Sequence, residues 1–218
     1  YRVTVSIANH KYHAGEYKMD TYLTGGNGLV VQKNGPRTTM KPVQAAIEVR
    51  DPDGTERKYQ LKVTNAGVFG NLGKVQFAVW SVENGQDDIK WINGTAGGNG
   101  SWSSEAVISQ FKSYGTYNVH IYGNLNDGSQ VFMGNTTFEV SEPTWDIEIE
   151  NQDEEAGTFD VVLKNIDSKS GVSRIQVPVW CEGVSKDVYW YEAQRQTDGK
   201  YRVTVSIANH KYHAGEYK

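Results

Sequence analysis

A chain of 218 residues holds one large β domain or about two modules of ~100 residues each. Hydrophobic residues at 38% and charged residues at 22% suit a folded, water-facing chain rather than a disordered one. A net charge of −4 lacks the basic footprint of a nucleic-acid-binding protein, and no apolar run approaches the ~20 residues that span a bilayer.

Tyr1 is not an initiator methionine and no charged-then-apolar leader follows it. The sequence therefore reads as a segment, with targeting and anchoring sequences expected elsewhere in a longer protein. Cys181 is the only cysteine, which excludes an intramolecular disulfide and argues against a small stapled secreted module. Glycosylation sequons occur at Asn93, Asn99 and Asn135. Turn chemistry alone accounts for the Asn-Gly pairs in the first two.

In chain order the signals are those of strands separated by turns. Asp53-Gly54 is the first of the turn clusters that separate them. Asn84-Gly85 and Gly97-Gly98-Asn99-Gly100 mark further turns, and Glu105–Lys112 has room for one or two helical turns. Thr116–Tyr122 and Val131–Val140 read as strands on either side of Asn126-Asp127-Gly128. Phe159–Leu163, Ile175–Trp180 and, after Asp198-Gly199, Tyr201–Ile207 repeat the pattern. In the last of these, Tyr201-Val203-Val205-Ile207 alternates with Arg202-Thr204-Ser206, as in a half-buried strand.

The sequence also repeats. Tyr1–Lys18 and Tyr201–Lys218 are the same eighteen letters, YRVTVSIANHKYHAGEYK. A weaker period of half that offset aligns Tyr59–Val63 with Phe159–Leu163 and Val75–Trp80 with Ile175–Trp180. Trp91 then matches Trp190 across a one-residue gap, and Tyr117 and Tyr122 match Tyr17 and Tyr22. Pro42 and Pro143 hold near-equivalent places and suit module junctions, because proline fixes a turn and removes a ladder donor. The expected frame is the C-terminal part of one module in residues 1–42, a complete module in residues 43–142 and the N-terminal part of the next in residues 143–218. The expected fold is all-β, in tandem immunoglobulin-like sandwiches of about 100 residues and about seven strands each.

VWSVENGQDDIKW at Val79–Trp91, YGTYNVHIYG at Tyr114–Gly123 and VPVWCEGVSKDVYWYEA at Val177–Ala193 resemble the GBS Bsp-like repeat family. The resemblance implies tandem modules of surface and cell-wall-associated proteins of Gram-positive bacteria, sometimes beside peptidoglycan-cleaving domains. It brings no catalytic residues. Lys186-Asp187 departs from Gln86-Asp87-Asp88, which puts any role needing both acids in doubt in the second unit.

Each chemical candidate has a structural alternative. Cys181 with His210 or His213 is the obvious nucleophile–base pair. Ser81 and the histidine-free stretch Ser109–Ser113 stand in their places in the sister unit, so an inert buried thiol is expected. His120 fails the same comparison against Asp20. Asp87 and Asp88, near Glu83 and Asn84, could form an oxygen-rich cation loop, but turn acids often bond their own backbone and no metal or cofactor is expected. Acids from Glu142 to Glu155 run without Lys or Arg and alternate with Trp145, Ile147 and Ile149, as on a solvated outer face. Among the aromatics, Trp80 and Trp91 are assigned to the core, while Trp102, Tyr114 and Tyr122 are the candidates for stacking on a sugar ring. The expectation is a non-catalytic stalk or spacer, with a glycan- or cell-wall-binding module as the alternative. The expected partners are wall polymer or host glycan and neighbouring modules head to tail, without nucleic acid or membrane insertion.

Overall fold

The computed structural model describes residues 1–41, 43–184 and 187–218, so the junction expected at Pro42, and Lys186, lie outside the described residues. Two compact units are present: Tyr1–Asp53 with Arg57–Val140, and Gly54–Glu56 with Ser141–Lys218. Among the described residues no helix is long and apolar enough to cross a membrane.

The first unit opens with a hairpin of β1 (Gly15–Thr24) and β2 (Val30–Met40), which forms a two-stranded sheet of its own. Eight strands follow: β3 (Ala46–Arg50), β4 (Lys58–Thr64), β5 (Leu72–Ser81), β6 (Lys90–Asn93), β7 (Thr95–Ala96), β8 (Trp102–Val107), β9 (Gly115–Leu125) and β10 (Gln130–Val140). They form two antiparallel sheets, in the orders β3-β4-β8-β7 and β10-β9-β5-β6. This is the immunoglobulin-like sandwich that the alternation predicts. Tyr59, Leu61 and Val63 of β4 point inward and meet Val75, Phe77 and Val79 of β5 and Tyr117, Val119 and Ile121 of β9 in one buried cluster. Each such side chain contributes about 1.5–3 kcal/mol on full burial. The helical turns expected over Glu105–Lys112 shrink to a single 3-10 turn at Ile108–Gln110. The strand runs on to Val107 because Ala106 pairs with Tyr59 and is buried in the core.

Tyr117 fastens the entry to β9. Its hydroxyl donates to the Ser113 carbonyl at 2.5 Å, and its ring stacks on Phe138 at a centroid distance of 5.0 Å. This is the tyrosine corner of immunoglobulin-like domains. Burial, with the Asp88 charge nearby, pushes its pKa up to about 12, so the hydroxyl keeps its proton. The same bond recurs from Tyr17 to the His13 carbonyl and from Tyr217 to the His213 carbonyl, at 2.7 and 2.6 Å.

In the second unit β11 (Thr144–Asp153), β12 (Thr158–Asp167), β15 (Gln194–Arg195) and β16 (Tyr201–Ser206) make a sheet in the order β11-β12-β16-β15. A pair, β13 (Gln176–Val179) and β14 (Tyr189–Glu192), forms the facing layer. Val161, Leu163, Val179, Tyr191 and Val205 form its core. The acids of β11 face outward as expected, yet they are not unopposed. Lys164 pairs with Glu148, and the Arg202 guanidinium bridges Glu150 at 2.6 Å and Asp160 at 2.7 Å. Lysine and arginine are missing only from the run itself, and the neighbouring strands supply them.

Burial works to raise the Asp160 pKa, but donors from Thr204, Asn151 and Arg202 outweigh it, and the pKa falls below the ordinary 3.8. A depressed carboxylate stabilises fully above its unfolded pKa, and that contribution fades as pH falls through the folded value. Asp160→Asn should therefore flatten the loss of stability of the second unit below about pH 4, as followed by fluorescence during acid titration. Tyr117→Phe keeps the ring and removes one hydrogen bond, and urea melts should show a loss of about 1 kcal/mol. Tyr117→Ala should cost about 3–5 kcal/mol.

Candidate functional site

Strand alternation sends Val75, Phe77 and Val79 of β5 into the core and Gln76, Ala78 and Trp80 to the outer face of the sheet. Register then brings neighbours to that face: His120 and Trp91 stand opposite Ala78, Tyr122 opposite Gln76, and Phe132 opposite Tyr122. The rings form a continuous row. Centroid distances are 5.3 Å for Trp91–Tyr122, 5.4 Å for Tyr122–Phe132, 5.5 Å for Phe132–His120 and 4.7 Å for His120–Trp80. Trp91 and Phe132 are 50% and 49% exposed. Burial holds the His120 pKa below 6.5, so its ring is neutral at physiological pH.

The immediate surroundings of the row are uncharged, with Lys74 of β5 and Glu139 of β10 toward the two ends of the face. The outward positions from Gln76 to Trp80, Trp91 to Asn93, Asn118 to Asn124 and Gln130 to Thr137 carry no Asp, Glu, Lys or Arg. Amides fill them instead. Gln76 donates to Asn93 at 3.2 Å and Gln130 to Asn124 at 3.3 Å. The second unit repeats the central feature: Trp190 stands opposite Pro178 on β13, as Trp91 stands opposite Ala78, and it is again exposed.

Of the five residues singled out from sequence, Tyr122 alone lies in this row. Trp102 lies on the other sheet. It pairs with Val63, an inward residue, and cross-strand partners share a face, so its indole packs half-buried against the core. Tyr114 is exposed in the turn before β9, outside the row. Trp91, assigned to the core, is half exposed, and Trp80 is buried but on the outer face, edge-on to His120. Phe77 and Val79 already hold the inner places of β5. Sequence reasoning missed Phe132 and His120, although the alternation of Asn118, His120 and Tyr122 against Tyr117, Val119 and Ile121 carried the signal.

Protein donors occupy Asp87 and Asp88. The buried Asp88 carboxylate accepts from the Ser81 amide at 3.0 Å, the Ser81 hydroxyl at 2.8 Å and the Lys112 amide at 3.1 Å. Asp87 is paired with the Lys112 ammonium at 2.9 Å. Asp187 repeats the part of Asp88: it is buried and accepts from the Cys181 amide at 3.3 Å, so the second unit lacks the counterpart of Asp87 alone. Burial opposes ionisation of Asp187, but the Cys181 amide and the facing His213 and His210 outweigh it and lower its pKa. Cys181 is fully enclosed, and a Cβ on Gly215 would stand 3.1 Å from its sulfur. His210 is equally buried, held between the Asp187 carbonyl at 3.1 Å and the Tyr191 hydroxyl at 3.0 Å. Among the described residues no group of three or more His, Cys, Asp or Glu side chains has the geometry to hold a metal.

The GBS Bsp-like repeat model matches residues 48–138 and again residues 148–218. The chain belongs to this family. It is a tandem-repeat β protein of the Gram-positive cell surface or cell wall. A search of the curated proteins gives no sequence match. Among solved structures, a polysaccharide deacetylase from Bacillus cereus superposes with a TM-score of 0.39 at 13% identity, over 46% of this chain and 31% of that one. A tetra-tandem repeat in the extending region of a large adhesion protein superposes at 0.37 with 17% identity, over 88% and 48%. The FN1-FN3 domains of chicken CNTN1 superpose at 0.31 with 13% identity, over 88% and 66%. The chain thus spans less than half the length of the first two.

Asp88→Ala strands two buried donors and one half-buried one, and should lower stability of the first unit by at least about 2 kcal/mol. Calcium should leave the melting temperature of the unaltered chain unchanged, and a rise of several degrees would restore the cation-loop reading.

Proposed function

We propose that this GBS Bsp-like segment is a non-catalytic adhesive module that holds an uncharged glycan against the outer face of the β10-β9-β5-β6 sheet. The observation that carries the reading is the exposed row Trp91–Tyr122–Phe132, set among amides at the centre of a face whose charges, Lys74 and Glu139, lie toward its two ends. Large apolar groups clustered in water mark interaction sites. Ring faces pack the C–H side of a pyranose, and the surrounding amides can donate to and accept from its hydroxyls. An uncharged centre desolvates cheaply and suits a neutral polyol, whether wall polymer or host glycan. A stalk that only held a distal domain away from the wall would gain nothing from half-exposed tryptophans at matching positions in two diverged units. Repetition of Trp91 as Trp190 multiplies contacts along a polymer, so weak single sites would sum to useful avidity.

The non-catalytic part of the proposal rests on the enclosure of Cys181 and His210 and on the protein donors that occupy Asp88 and Asp187. Dye release from labelled cell walls should stay at background, and Cys181-dependent release would overturn that part.

Pull-down on purified cell wall, with titration calorimetry on neutral oligosaccharides, tests the binding site. Trp91→Ala and Phe132→Ala should each weaken binding about tenfold or more at unchanged melting temperature. Trp102→Ala should lower stability instead. Binding should be insensitive to ionic strength and should survive removal of anionic polymers from the wall. Equal retention of the unaltered chain and the Trp91→Ala, Phe132→Ala double variant would return the module to a spacer.

A further inference from the structure

The side-chain amides that border the aromatic row stand in two pairs, and strand register sets their places. Gln76 and Asn93 face each other across β5 and β6, in the same cross-strand line as Tyr122 and Phe132. Asn124 and Gln130 face each other across β9 and β10, each two residues along its strand from Tyr122 or Phe132. Residues two apart on a strand share a face. The second pair therefore flanks the two rings on one side, and the first closes the β6 end of their line, beside Trp91.

One hydrogen bond joins each pair. The Gln76 side-chain amide donates to the Asn93 side-chain carbonyl at 3.2 Å, and Gln130 donates to that of Asn124 at 3.3 Å. A primary amide carries two N–H donors and one carbonyl oxygen. Each bond thus leaves its pair with the glutamine carbonyl and the asparagine NH2 group, for which no other protein partner stands among the described residues. Both bonds lie on the exposed face. An acceptor and a donor are held side by side, next to a ring, at two places.

A sugar hydroxyl is satisfied by either group alone, whereas a secondary amide uses both. Its N–H donates to the glutamine oxygen, and its carbonyl accepts from the asparagine NH2. In an acetamido group the remaining methyl is apolar and packs on the neighbouring ring, Tyr122 or Phe132. From this pairing we infer that the first unit selects a chain of N-acetylated hexosamines over neutral glycans that lack the acetamido group. The inference rests on the glycan-binding reading and names the sugar chemistry that reading leaves open. Lys74, opposite Asn124 on β5, sharpens the choice, because its ammonium repels the ammonium of a de-N-acetylated sugar. The second unit lacks the device. Gln176 is kept, but Glu192 stands opposite it in place of Asn93, and its carboxylate accepts from Arg174 at 3.2 Å. A carboxylate has no N–H to give an acetamido carbonyl.

Titration calorimetry on the full chain tests this with two oligosaccharides of one length and linkage, one of N-acetylglucosamine units and one of glucose units. The acetamido sugar should bind about tenfold or more tightly, as two added hydrogen bonds provide. Gln76→Met with Gln130→Met keeps side-chain length and removes one amide from each pair. This double variant should erase the preference and keep the weaker glucose binding, at unchanged melting temperature. Trp91→Ala should weaken both sugars alike. Glycan strands released from purified wall, and N-acetyllactosamine oligomers of the host type, separate the two sources of the same chemistry. Whichever is retained should be lost on de-N-acetylation and recovered on re-acetylation. Equal affinity for the two sugars that still depends on Trp91 overturns the inference and leaves the glycan site standing. A preference that survives the double variant, or retention indifferent to de-N-acetylation, overturns it too. Retention of none of these glycans overturns the glycan reading with it.

Discussion

The pairing of β9 with β5 is the contact on which the rest of the first unit depends. It runs from Leu72↔Leu125 to Ser81↔Tyr117, and it fixes which side of each strand faces the core. A slip of one residue would send Tyr117, Val119 and Ile121 to solvent and bring Asn118, His120 and Tyr122 inside. The tyrosine corner guards against that slip at one end, where the Tyr117 hydroxyl is bound to Ser113. Core and aromatic row are two sides of one ladder, so whatever fixes the core also sets the spacing of the rings.

Asp88 locks the same corner from the other side. Its carboxylate joins the end of β5, through both donors of Ser81, to the amide of Lys112 just before β9. The second unit keeps the acid and changes its surroundings. Cys181 replaces Ser81 and supplies only its amide, while His210 and His213 crowd the Asp187 carboxylate at 3.6 and 3.4 Å. A thiol, an acid and two histidines within one corner resemble a catalytic group. Cys181, Asp187 and His210 are buried, and the acid joins strands here as Asp88 does beside a serine in the first unit.

Strands were the most legible feature of the sequence, because alternation and turn residues act locally. β12, β13 and β16 include or closely follow the runs assigned from the letters. The repeat supplied the family and the module length. Which face a tryptophan occupies was not legible. Phe77, Ala78, Val79, Trp80 and Ser81 are all buried, so the period of two that distinguishes inside from outside is erased along that stretch. Trp102 misled for the opposite reason, since a glycine-rich neighbour suggests a loop where the structure has an inward strand position. The partners of Asp88 lie 7 and 24 residues away in sequence, beyond the reach of any local pattern.

The two sheets of the first unit divide surface chemistry between them. Outside β3, β4 and β8 lie the exposed pairs Glu48–Arg50 and Lys58–Glu105, and the matching sheet of the second unit carries Glu148–Lys164 and Arg202 with its two acids. Of these, Glu48–Arg50 and Lys58–Glu105 are exposed pairs worth about 0–1 kcal/mol each, so their main effect is on solubility rather than stability. The chain has 48 charged residues, and none of them falls on the central outward positions of β5, β6, β9 and β10. Charge thus dominates the outer face of one sheet, while on the other it is confined to Lys74 and Glu139 toward the ends and leaves the strip of rings at the centre bordered by amides.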